Sequence, residues 1–227
     1  MGAGSNSARE LALSGKLVGW LSLVGAVSAI SYAGRFTGGK PPKDALYQYS
    51  TAISELVLFA IILAIVLWIA RGLPKRQVFA LRRPASWRRA LGLALAVFIV
   101  VSIANAGLNP LLHGAREQGL APSGWEPARA APFVLNLIAF AVVGPLVEEL
   151  AFRGLGFSLL ERYGQTTAIV VIGLTFGLWH GLVEALPVLM IFGAGLAYLR
   201  SRTGSVYPGM LLHMLFNGLA LLIAVTV

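Results

Sequence analysis

Cysteine is absent from the sequence, so disulfides and thiol nucleophiles are both excluded, and cysteine usage carries no information about redox compartment. Charge is scarce as well. Only 12% of residues are charged, against about a quarter in an ordinary soluble domain. Acid is scarcer than base, with 9 Asp and Glu against 18 Lys and Arg and a net charge of +9. No internal repeat is evident. What fills the chain instead is apolar side chain, 57% of the 227 residues.

The apolar residues fall in seven runs almost free of charge, 17–33, 46–70, 90–112, 132–147, 166–182, 185–199 and 205–227. Crossing about 30 Å of hydrocarbon takes roughly 20 apolar residues, with 17 near the lower limit. The expected architecture is therefore all-α, a polytopic transmembrane bundle of about seven spans, or six if the first were removed as a signal peptide or were merely interfacial. The basic excess could suggest a nucleic-acid surface, but its distribution points to the membrane. Arg71, Lys75, Arg76, Arg82, Arg83, Arg88 and Arg89 lie between the second and third runs with no acid among them. That loop is cytoplasmic by the positive-inside tendency and attracts anionic headgroups. Alternation then puts the N-terminus and the turns at 160–165 and 200–204 inside, and loops 113–131 and 183–184 outside; Arg35, Lys40 and Lys43 in the first outer loop fit less well.

Residues 1–8 are expected to be disordered, and the linkers are 34–45, 71–89 and 113–131, the first carrying Gly38, Gly39, Pro41 and Pro42 and the last Pro122, Gly124 and Pro127. The chain reads as one membrane domain, plain over 1–131 and bearing its unusual residues over 132–227.

A charged side chain inside a span costs at least about 2.5 to 3.5 kcal/mol, so such groups are usually paired or functional. One cluster stands out: Glu148, Glu149 and Arg153, in the middle of a helix predicted from Pro132 to Tyr163 and stopped at Gly164. That helix would be about 46 Å long. Glu149 and Arg153 share a face in the favourable acid-first i,i+4 order. Glu148, about 100° round the helix, is left over. A carboxylate tuned by burial can activate water for hydrolysis. Pro145 should bend the helix beside it. A structural salt bridge would explain one acid and one base but not the second acid.

His180 ends the motif Phe176, Gly177, Leu178, Trp179, His180, and His213 and Asn217 lie four apart in the last run. Glu148 is 16 residues before Gly164 and His180 is 16 after it, so an antiparallel hairpin brings the two level. His213 joins them if the 161–166 turn protrudes by a helical turn or two. Asn217 beside His213 could form an oxyanion pocket or be interhelical hydrogen-bond glue. Phe176 and Trp179 read as packing residues or pocket walls, and His113, in an outer loop, has no evident partner.

Glu148, Glu149 and Arg153, then Phe176 and His180, then His213 and Asn217, in this order on successive spans, resemble the three motifs of the CAAX-protease and bacteriocin-processing (CPBP, Abi-type) family over about 130–227. The resemblance implies a helical membrane endopeptidase whose catalytic core is 132–227, acting on membrane-associated peptides, prenylated or otherwise hydrophobic. It implies that Glu148 activates water with His180, that Arg153 holds Glu149, and that His213 and Asn217 steady the oxyanion. Members are commonly catalogued as metalloproteases, so zinc or another divalent ion on Glu148, His180 and His213 is one expectation and a metal-free glutamate and histidine pair the other. The expected partners are peptide substrate and lipid bilayer, with no nucleic acid; the resemblance to bacterial members implies a bacterial plasma membrane, and the projecting helix end and the basic loop favour entry from the cytoplasmic side. The competing classes are a proton- or cation-coupled transporter, which would move ions and cleave nothing, and a non-catalytic membrane scaffold.

Overall fold

A computed structural model describes residues 2–38, 42–117 and 124–226; Gly39 and Pro41 of the first linker, Lys40, and Pro122 of the third lie outside the described residues. Every regular element among these is helical: α1 (Gly2–Thr37), α2 (Tyr49–Ile69), the short α3 (Lys75–Val78), α4 (Trp87–Leu112), the short α5 (Gly114–Glu117), the long α6 (Pro127–Tyr163), α7 (Gln165–Trp179), α8 (Leu186–Thr203) and α9 (Tyr207–Thr226). Each of the seven apolar runs is thus a helix. Five helices, α1 (from Leu13), α2, α4, α6 and α9, are long and apolar enough to cross a membrane. α7 is apolar but has 15 residues, about 22 Å of rise, and α8 has Arg200 and Arg202 in its last turn.

The N-terminus departs from expectation. α1 begins at Gly2, where disorder is expected; no proline interrupts the segment before the first apolar run, and the helix of that run continues back through it.

Helix ends are set by local chemistry. The Ser86 side chain accepts from the Arg89 N–H and starts α4, relieving one of the orphan donors of a first turn. Gly164 at φ +104 separates α6 from α7, and Gly204 at φ +66 ends α8 with its N–H on the Arg200 carbonyl. Both conformations suit a residue without Cβ.

α6 is not a uniform α-helix. Residues Ala139–Val143 and Leu150–Gly156 form two wide π turns on either side of Gly144–Glu149. The first is where Pro145 was expected to bend the chain. The Gly144 N–H donates to Ala139, five residues back, and Pro145 has no N–H to offer the next carbonyl. Such turns are frequent at functional sites.

The core is aromatic around this helix. Trp20 of α1, Phe152 of α6, and Phe176 and Trp179 of α7 meet edge to face, the favoured geometry for ring quadrupoles. Outward, α2 exposes Ile53, Val57, Ile61, Ile65 and Trp68, and α4 exposes Leu91, Leu95, Ile99 and Ile103. Apolar exposure of that length is a liability in water and natural against lipid; the protein is an integral membrane protein.

Candidate active site

The wide turns of α6 aim its polar residues at α7, α8 and α9. Glu149 and Arg153 are fully buried and paired, Arg153 Nη1 lying 2.8 Å from Glu149 Oε1. The other arm of the guanidinium, Nη2, donates to the Gly193 carbonyl of α8 at 2.8 Å. Its face lies over the Phe176 ring, 4.3 Å from the centroid. Breaking such a pair by removing one partner costs about 3 to 5 kcal/mol, because the other charge stays buried. Glu149 also anchors His213, whose Nδ1 is 3.1 Å from Oε1. Glu149 Oε1 already accepts from Arg153 Nη1, so it acts as acceptor here too and His213 Nδ1 is the donor.

His180 is fixed by a parallel device. Its Nδ1 lies 2.8 Å from the Phe176 carbonyl one turn back. A carbonyl only accepts, so here too Nδ1 is the donor. Both imidazoles therefore commit their Nδ1–H groups outward and turn Nε2 toward Glu148, His213 at 3.6 Å and His180 at 4.0 Å. The indole N–H of Trp179 is a further hydrogen-bond partner of Glu148. Access divides the set in two. The His180 and Glu148 side chains keep 25% and 10% exposure, whereas those of Glu149 and Arg153 have none, so the first pair can meet a substrate and the second can only support it.

The structure thus gathers Glu148, Glu149, Arg153, His180 and His213. Asn217 is one turn beyond His213 on α9, and its Nδ2 donates to the Phe140 carbonyl at 2.9 Å. That carbonyl lies in the first π turn, five residues before Pro145, which has no proton to give it. Asn217 satisfies a backbone group that would otherwise be bare, and its second amide hydrogen is left for other use. The expectation of interhelical glue describes the contact present. His113 stands apart as the left-handed C-cap of α4.

Metal binding is less well served. Among the described residues no group of three or more His, Asp or Glu side chains is arranged to hold a metal ion. The donors Glu148, His180 and His213 are of the right chemistry for zinc. Their separations of 3.6 and 4.0 Å exceed the roughly 3.3 Å between two ligands at 2.0 to 2.1 Å around one tetrahedral zinc.

Several supporting residues escaped the sequence. Trp20 Nε1 donates to the Ala151 carbonyl inside the second π turn at 2.9 Å, and its ring occupies the space a side chain at Gly156 would need. The loop after His180 is clamped from outside the site. Glu117 accepts from the Val183 and Ala185 N–H groups, both at 2.8 Å, and pairs with Arg35 at the end of α1. Tyr32 donates to the Leu182 carbonyl. A Cβ at Gly209 of α9 would lie 2.7 Å from Glu149 Oε2, so only glycine leaves room for the buried carboxylate.

Residues 130–219 match the family model described as Type II CAAX prenyl endopeptidase Rce1-like. The curated "Putative membrane peptidase YdiL" of Bacillus subtilis (strain 168) is 24% identical over 186 residues, 80% of this chain and 75% of that protein. No solved structure matches the chain.

Proposed function

We propose, from the premise that the chain is a membrane protease of the CPBP family through its Rce1-like segment 130–219, that it hydrolyses peptide bonds with a water activated by Glu148 and His180. The observation that carries this reading is the orientation of His180: with its Nδ1–H committed to the Phe176 carbonyl, its bare Nε2 faces the Glu148 carboxylate. Facing acceptors need a donor between them. A water molecule giving one hydrogen to Glu148 and one to His180 supplies it and turns an oxygen lone pair outward, as a nucleophile requires. The oxygen attacks the scissile carbonyl carbon and Glu148 takes its proton. The second amide hydrogen of Asn217 donates to the oxyanion, and His213 Nε2 does so whenever it bears a proton. Collapse breaks the C–N bond, and Glu148 returns the proton to the leaving amine. Arg153 and Glu149 act through His213, fixing its ring. A divalent ion, if bound, would be held by Glu148, His180 and His213 and would polarise the same carbonyl and water.

The substrates of this reading are membrane-associated peptides, prenylated or otherwise hydrophobic, in a bacterial plasma membrane, entering from the cytoplasmic side. Ion-coupled transport and a passive scaffold are less well supported, because both comparisons name peptidases. The deciding experiment incubates purified protein with lipidated and hydrophobic peptides, comparing wild type with Glu148→Ala and His180→Ala, with and without chelator. Loss of a general base should slow cleavage by about 10² to 10⁴. Equal cleavage by the folded Glu148→Ala protein would refute the assignment, and chelator sensitivity would assign a metal to the site.

A further inference from the structure

At the end of the bundle where α8 stops, a second polar locus lies apart from the active site. Arg200, in the last turn of α8, is 6% exposed, and among the described residues its Nε has no hydrogen-bond partner. Its guanidinium lies over the Phe157 ring, 5.1 Å from the centroid. Arg153 shows how this fold treats a buried arginine it intends to neutralise, with a carboxylate at 2.8 Å and a carbonyl on the other arm. Arg200 has no such ion pair among the described residues. The charges that reach it are an exposed acid, Glu161, and a second cation, Arg82.

Arg82 is held in place. Its Nε donates to the Gly204 carbonyl at 2.7 Å. The loop that carries it is docked by backbone, the Val206 N–H donating to the Ala80 carbonyl and the Ser158 hydroxyl to the Val78 carbonyl. The guanidinium therefore lies across the left-handed turn at Gly204, with Nη2 3.2 Å from where a Cβ would stand. Two like charges fixed near each other repel, and a largely buried one is desolvated as well. An oxyanion with several acceptor oxygens would relieve both, since guanidinium forks match phosphate geometry and charge-assisted bonds are the strong ones. The 71–89 segment and the last turn of α8 also carry the exposed Arg76, Arg83, Arg88, Arg89 and Arg202, a basic population attractive to anionic headgroups.

We propose that Arg200 and Arg82 form a binding site for the phosphate group of a membrane lipid, seated between Phe157, the 78–82 loop and the Gly204 turn. Arg200 gives the site its depth and Arg82 its outer wall. This differs from diffuse attraction to a basic loop in requiring a single ligand and one particular buried arginine.

The test uses full-length protein in a zwitterionic detergent, titrated separately with dihexanoyl phosphatidic acid and with inorganic phosphate. Thermal unfolding and native mass spectrometry are the readouts. Wild type is expected to retain one phosphatidic acid and to melt at a higher temperature with it. Arg200→Met should abolish both effects, and Arg82→Gln, at an exposed position, should weaken binding at least about tenfold. The Arg88→Gln and Arg89→Gln double variant should bind as wild type does. Stabilisation by inorganic phosphate alone, lost in Arg200→Met, would support the same anion site with a soluble source. Binding by neither probe, or equal binding by wild type and Arg82→Gln, would overturn the proposal.

Discussion

Gly209→Ala sets two physical effects against each other. In a helix interior alanine is favoured over glycine by about 0.5 to 1 kcal/mol; Gly209 is the third residue of α9, so that figure is the most that propensity could add there. The contact has the opposite sign. The new Cβ would lie 2.7 Å from Glu149 Oε2, against the 3.4 Å at which ordinary contact begins. The carboxylate must therefore retreat by about 0.7 Å, or α9 must shift by as much. Glu149 has little room to retreat, since Oε1 is already engaged by Arg153 at 2.8 Å and His213 at 3.1 Å. Full rupture of the ion pair would cost about 3 to 5 kcal/mol, so the net change should be destabilising even after the helix gain. A displacement approaching 1 Å at the ring of His213 should lower peptide cleavage by about 10². Thermal melting and cleavage of a hydrophobic peptide by the purified variant measure the two. A variant that melts higher than wild type and cleaves at the wild-type rate would refute the packing of Glu149 against α9.

Trp20→Phe keeps a ring beside Phe152 but removes the donor to the Ala151 carbonyl, and a bare buried carbonyl costs about 1 to 3 kcal/mol; thermal melting should fall accordingly, and an unchanged melt would mean that water takes the donor's place. At the opposite end of the bundle, Asp44 and Glu126 both have their pKa lowered, first of all by hydrogen bonds from Arg129, with Gln48 adding to the effect at Asp44. A lowered folded-state pKa means that their contribution is present above the ordinary carboxylate range and is lost as pH falls through the lowered values. Acidification below about pH 4 should lower the amide protection of 44–48 and 124–130, taken against the intrinsic exchange rate at each pH, before it lowers that of the middle of α2, and simultaneous loss in both would contradict this.

Much of the site was legible because its spacing is local or symmetric. Glu149 and Arg153 are one turn apart in one helix, and Glu148 and His180 are placed equally about the Gly164 turn. A continuous apolar stretch from Pro132 foretold α6, and Gly164 its end. The π turns were not legible, because Ala139–Val143 and Leu150–Gly156 carry no residue pattern that a regular helix would refuse. Nor were the long-range supports. Trp20 and the Ala151 carbonyl are 131 residues apart, and a tryptophan in an apolar run looks the same whether its N–H meets a carbonyl or an interface. Glu117 reads as a loop acid until Val183, Ala185 and Arg35 close on it. The expected seven crossings and the five helices long and apolar enough to make them differ because α7 is short and α8 ends in arginines, features that a count of apolar runs passes over.

The bond from Trp20 into α6 crosses from outside the Rce1-like segment to its centre. Excising 130–219 as a stand-alone fragment would strip an indole from the groove beside Gly156 and leave the neighbouring wide turn one proton donor short. The portion that resembles other proteases is consequently a poor candidate for independent expression, and the N-terminal helix has to travel with it.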